Sequence, residues 1–178
     1  MREKLWFGLA LALNIILLLF ALAVLVPLGL ALSVFYALIA LCGLLLLLVA
    51  RAFCKRQLFP LHAGAMVVFI LSLATVLFGW TGPYWWADLA LHLLGGLFVA
   101  LYFLVLSKGL FTGWKLFAWS VALAVTVGVV WEWAELAAWF FRNDPIFLID
   151  AFDVLTDLMA DALGAVVASA LVILFSRR

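Results

Sequence analysis

The chain is written in long apolar runs broken by short polar or turn-forming stretches, and the length of each run decides what it can be. A bilayer core of roughly 30 Å needs about 20 apolar residues per helix. Six such runs succeed one another, over residues 5–26, 28–50, 58–80, 85–107, 115–140 and 149–175. Pro27 ends the first run and forces a tight hairpin into the second. A basic connector at 51–57, then Thr81-Gly82-Pro83, Lys108-Gly109 and Arg142-Asn143-Asp144-Pro145 separate the others. The pattern predicts an all-α polytopic membrane protein with six transmembrane helices in a single domain over 1–178. The first run comes after Met1-Arg2-Glu3-Lys4 as a signal peptide would. It is about twice as long as a signal h-region and has no clear small-residue cleavage site after it, so it reads as an uncleaved anchor.

Composition agrees with this reading. Of 178 residues 71% are hydrophobic and 11% charged, against about half and about a quarter in a soluble domain, which excludes a water-soluble globule. Ten basic and nine acidic residues leave a net charge of +1, with no dense Lys/Arg cluster, so nucleic acid is not an expected partner. Cys42 and Cys54 lack the CxxC or His pairing of thiolate metal or redox sites.

Basic residues are retained on the cytoplasmic side of a membrane. With both termini cytoplasmic, Arg2, Lys4, Arg51, Lys55, Arg56, Lys108, Lys115, Arg177 and Arg178 all fall inside, leaving Arg142 outside. Trp6, Trp114 and Trp119 then stand near the inner boundary, and Trp80, Trp85, Trp86, Trp131, Trp133 and Trp139 near the outer one, as aromatic belts do.

This orientation collects the acids. All but Glu3 lie outside or in the outer half of the membrane, together with His92. Asp88 and His92 are one turn apart on the fourth span, with His92 roughly 10 Å below the level of Trp85. Glu132 and Glu135 share a face near the outer end of the fifth. On the sixth, Asp150, Asp153, Asp157 and Asp161 are spaced 3, 4 and 4 apart, one stripe of a helix, with Asp161 roughly 15 Å deep. Asp144 and Asp150 suit a solvated turn. Asp88 and Asp153, in first turns, suit either the helix dipole or a site. Glu132 and Glu135 stand in last turns, where the dipole disfavours anions. Asp157, Asp161 and His92 are too deep to cap a helix or snorkel.

Carboxylates within reach of one another in low dielectric need cations or protons, and Arg142 alone is too little. The expectation is a bound divalent metal, with His92, Asp88, Asp153, Asp157 and Asp161 as ligands and Glu132 or Glu135 as general base. Oxygen-rich ligands with one imidazole suit Mn²⁺, Mg²⁺ or Ca²⁺, and zinc with mixed ligands stays open. A di-iron bundle would want two Glu-x-x-His motifs, which the chain lacks. Gly95 and Gly96, and the stripe Ala160, Gly164 and Ala168, read as helix-packing surfaces that bring the fourth and sixth spans together. His62 reads as an interfacial or packed histidine. The first two spans, polar only at Asn14 and Ser33, read as lipid-facing scaffold.

Three motifs in order carry a resemblance: Asp88-x-x-x-His92-x-x-Gly95-Gly96, Trp131-Glu132-Trp133-Ala134-Glu135, and Asp150-x-x-Asp153-x-x-x-Asp157-Leu-Met-x-Asp161-x-x-Gly164-Ala165. Over its second half the chain resembles the YjdF-like and VanZ-like bacterial membrane families. The resemblance implies a bacterial plasma-membrane protein and, through the VanZ-like link to glycopeptide antibiotic tolerance, cell-envelope work. Function then reads as a metal-dependent enzyme acting on lipids or lipid-linked envelope precursors. The alternatives are a cation- or proton-coupled transporter and a structural protein whose helices a metal pins together.

Overall fold

The computed structural model describes residues 2–22, 30–52, 58–78, 85–140 and 151–175. They form six α-helices: α1 (Arg2–Phe20), α2 (Leu30–Ala52), α3 (Leu58–Phe78), α4 (Trp85–Ser107), α5 (Gly113–Phe140) and α6 (Ala151–Phe175). Among the described residues there is no strand, only an isolated bridge between Lys108 and Phe111. The fourth predicted span coincides with α4, and α2, α3, α5 and α6 agree with theirs to within two residues, whereas α1 ends at Phe20 and the end predicted for the first span, at residue 26, lies outside the described residues. The turn at Pro27, the connector from Phe53 to Gln57, Thr81 to Pro83, and the loop carrying Arg142, Asp144 and Asp150 lie outside the described residues, as do Arg177 and Arg178.

Stretches long and apolar enough to cross a membrane occur at Glu3–Phe20, Trp85–Ser107, Gly113–Trp133 and Phe152–Phe175, with shorter apolar stretches at Tyr36–Ala52 and Leu58–Ser72. The side chains are distributed as an apolar solvent requires. Leu45, Trp85, Met159 and Leu174 are each more than half exposed, while Ala10, Ala40, Ala100, Ala124, Ala165 and Ala168 are buried. Lipid gives no hydrophobic drive for helices to associate, so small residues that let backbones approach, and hydrogen bonds between helices, hold them together. This is the all-α fold of a membrane protein.

The described residues group into two compact units. The first comprises Met1–Met66 and Trp131–Asp150. Here one face of α1 and α2 is buried, and it holds the polar residues. Asn14 donates through Nδ2 to the carbonyl of Ala10 at 2.7 Å and meets His62 Nε2 at 2.8 Å, while its Oδ1 rests where Gly43 of α2 has no side chain. Ser33 donates to the Ala21 carbonyl at 2.6 Å, one of the acceptors that the end of α1 leaves open. At the other end of α1 the Arg51 guanidinium lies 4.5 Å from the centre of the Phe7 ring, which packs edge-on against Phe59. The scaffold is therefore lipid-facing on one side only, and His62 is a packed histidine, 3% exposed. An interhelical hydrogen bond in a membrane averages about 0.6 kcal/mol, with larger cases near 1.7. Asn14→Ala, which removes two bonds and some packing, should destabilise the protein by about 1–2 kcal/mol in a detergent-denaturation titration; an unshifted midpoint would show that the pair holds nothing together.

The second unit comprises Val67–Val130 and Ala151–Arg178. Its register is set by contacts that ascend or descend together. His92 faces Asp157, Gly96 meets Asp161, Leu97 meets Gly164, and Ala100 clusters with Ala165 and Ala168, so α4 and α6 run parallel. Along α5, Gly128 meets Asp161, Ala124 joins the alanine cluster, and Ser120 Oγ pairs with Ser169 Oγ at 2.9 Å, so α5 runs antiparallel to α6. Two parallel neighbours need a crossing connection, and α5 supplies it. Gly109, at φ 102°, turns the chain out of α4, and the Leu110 amide donates back to the Ser107 carbonyl at 2.9 Å.

A candidate metal centre on two parallel helices

Asp88, His92, Gly96, Ala100 and Leu104 recur every four residues and form one face of α4, of which His92, Gly96, Ala100 and Leu104 are buried. The facing stripe of α6 runs through Asp157, Ala160, Asp161, Gly164, Ala165 and Ala168, all buried. An aspartate side chain is short, so it reaches across a helix pair only where the backbones are close. They are close here. A Cβ on Gly96 would stand 2.7 Å from the Asp161 Cα and carbonyl carbon, and against its carbonyl oxygen. A Cβ on Gly164 would meet the Leu93 carbonyl and lie 2.9 Å from the Leu97 amide nitrogen.

This approach brings together Asp88, His92 and Asp157, each offering one ligand atom, all within 4.8 Å of one another. His92 Nε2 lies 3.9 Å from Asp157 Oδ2, too far for a hydrogen bond. Two donors each about 2.0–2.4 Å from a shared ion stand at most about 4.8 Å apart, so the spacing suits one cation between them. The other ring nitrogen, Nδ1, lies 3.3 Å from Asp161 Oδ2. His92 is 8% exposed and both aspartates 5%, while Asp88 is half-buried. The helices carry no Lys or Arg from residue 57 to 107, from 116 to 141 or from 149 to 176. Within these stretches the clustered carboxylates have no Lys or Arg to pair with, and a divalent cation would relieve their repulsion.

The remaining predicted site residues fall elsewhere. Asp153 is exposed in the first turn of α6, where its carbonyl accepts from Thr156 Oγ1 at 2.8 Å; it is not in the group of three. Asp161 faces the opposite ring nitrogen of His92. Glu132 is buried on α5 within the first unit, and the side chain of Glu135 lies outside the described residues. One contributor escapes the sequence reading: Gly128 on α5, where a Cβ would meet Asp161 Oδ2 and stand 3.1 Å from its Cγ. Its signal is a glycine inside an apolar span, one turn before Glu132.

No curated protein and no solved structure matches the chain. The model of a family described as predicted membrane protein, DUF2238, matches residues 10–178, nearly the whole chain. With the fold and its apolar surface this places the protein in a membrane, and the chain belongs to the DUF2238 family of predicted membrane proteins.

Proposed function

We propose that the protein is a divalent-metal-dependent membrane enzyme acting on lipids or lipid-linked precursors that carry a phosphate or carbonyl group. The observation that carries this reading is the convergence of Asp88, His92 and Asp157. On this reading those three hold the ion, which would polarise a phosphoryl or carbonyl oxygen and activate water. Three protein ligands leave coordination positions for water and substrate, as catalytic sites require. Half-buried Asp88 marks the side from which substrate enters. The charge distribution orients this end of α4 and α6 toward the outer leaflet, and the resemblance to YjdF-like and VanZ-like proteins suggests an envelope precursor in a bacterial plasma membrane.

Catalysis is favoured over transport by the apolar length of helix on the inner side of the site. Beyond His92 on α4 and beyond Asp161 on α6 no acidic, basic or histidine residue occurs, and Ala100, Ala124, Ala165 and Ala168 close the packing there. A proton relay of Asp, Glu or His would need such residues along that length, where the buried polar pair is Ser120 and Ser169. Elemental analysis of detergent-purified protein should find one divalent metal per chain, and phosphorylated lipids should release product only while it is bound. Folded protein that takes up no metal would overturn the proposal.

A further inference from the structure

We infer that Asp161 is a positioning residue, which grips His92 through Nδ1 and thereby presents Nε2 to the ion. This rests on the metal reading for its effect on affinity, but its effect on the imidazole can be read without metal. Asp161 Oδ2 lies 3.3 Å from Nδ1, whereas Nε2 is the nitrogen that faces Asp157. An ionised carboxylate can only accept, so Nδ1 carries a proton, and Nε2 is left to offer its lone pair when an ion binds. Metal-binding histidines are commonly held in this way by a carboxylate on the second nitrogen, which fixes the ring and raises its basicity.

The surroundings of Asp161 fit a fixed strut better than a ligand. Its Oδ1 lies 3.7 Å from the place where a Gly95 side chain would begin, and its Oδ2 packs where Gly128 has none. Glycines on α4 and α5 therefore wall the carboxylate from two sides, and the close approach of Gly96 anchors the Asp161 backbone. Three helices meet on one side chain that does not join the group of three ligand atoms. The juxtaposition explains why an acid stands so deep in α6 without being a ligand.

The test uses ¹⁵N-histidine NMR and Mn²⁺ or Zn²⁺ titration of the full-length protein in detergent. The chain has two histidines, and the signals lost in His92→Ala identify His92. Wild type should show His92 protonated on Nδ1, with Nε2 giving up any proton when Zn²⁺ binds. Asp161→Ala should lose that preference and bind metal about 10–100-fold more weakly, still reaching the same stoichiometry. Asp161→Asn, which keeps an acceptor oxygen, should retain the tautomer and fall between the two; it also decides the matter should the alanine variant fail to fold. A wild-type His92 without a proton on Nδ1 would overturn the inference. So would an Asp161→Asn variant that loses metal as completely as Asp157→Asn, since that marks a direct ligand. Wild type that shows the Nδ1 tautomer but binds no metal would sink the enzyme proposal and leave the positioning role standing.

Discussion

Gly96→Ala should cost the protein its fold while Gly95→Ala, one residue away, is tolerated. At Gly96 the new methyl meets the backbone of Asp161, and backbone cannot rotate aside as a side chain can. Overpacking costs about 1–3 kcal/mol where side chains can yield, so a collision with the neighbouring helix backbone should exceed about 3 kcal/mol, a large share of a stability of about 5–15. Gly164→Ala should behave alike, because its methyl strikes the Leu93 carbonyl. At Gly95 the nearest neighbour is Asp161 Oδ1 at 3.7 Å, an ordinary contact, and alanine there gains about 1 kcal/mol of helix propensity. Folded yield and thermal unfolding in detergent check both. Equal behaviour of Gly95→Ala and Gly96→Ala would mean that α4 and α6 do not meet in this register.

His92→Ala and Asp157→Asn should each weaken divalent-metal binding by more than about 100-fold, beyond what loss of an outer hydrogen-bond partner does. Asp153→Asn should leave affinity within about threefold, since an exposed charge is screened by solvent. Titration of the three variants at matched folding distinguishes two ligand sets. The acidic stripe on α6 treats Asp153 and Asp157 alike. The structure separates them by burial, and it groups Asp157 but not Asp153 with Asp88 and His92. If Asp153→Asn lost the metal as Asp157→Asn does, α6 would have to be set deeper or rotated.

The six helices are legible in the sequence because run length against bilayer thickness is a strong signal, and the α4 limits emerge from it unchanged. The core of the site is legible for the same reason: a charge inside an apolar run stands out. The sorting of that stripe is not. Spacing puts Asp153, Asp157 and Asp161 on one face, but only the position of α4 decides that Asp157 faces Nε2 and Asp161 faces Nδ1. Asn14 escapes notice as a partner of His62 because the two are far apart in sequence and neither belongs to a motif. Gly128 escapes because a glycine reports nothing about the neighbour that fills its empty space.

The parallel pairing of α4 and α6 also constrains how the molecule is made. During synthesis α4 enters the membrane well before α6, so His92 must wait for its aspartates while α5 is threaded between them in the opposite direction. A helix carrying Asp157 and Asp161 resists insertion by about 2.5–3.5 kcal/mol for each acid near its centre, and a waiting imidazole offers compensation at the moment it enters. A chain stopped before α6 would hold Asp88 and His92 without Asp157, half of the group the two helices make together.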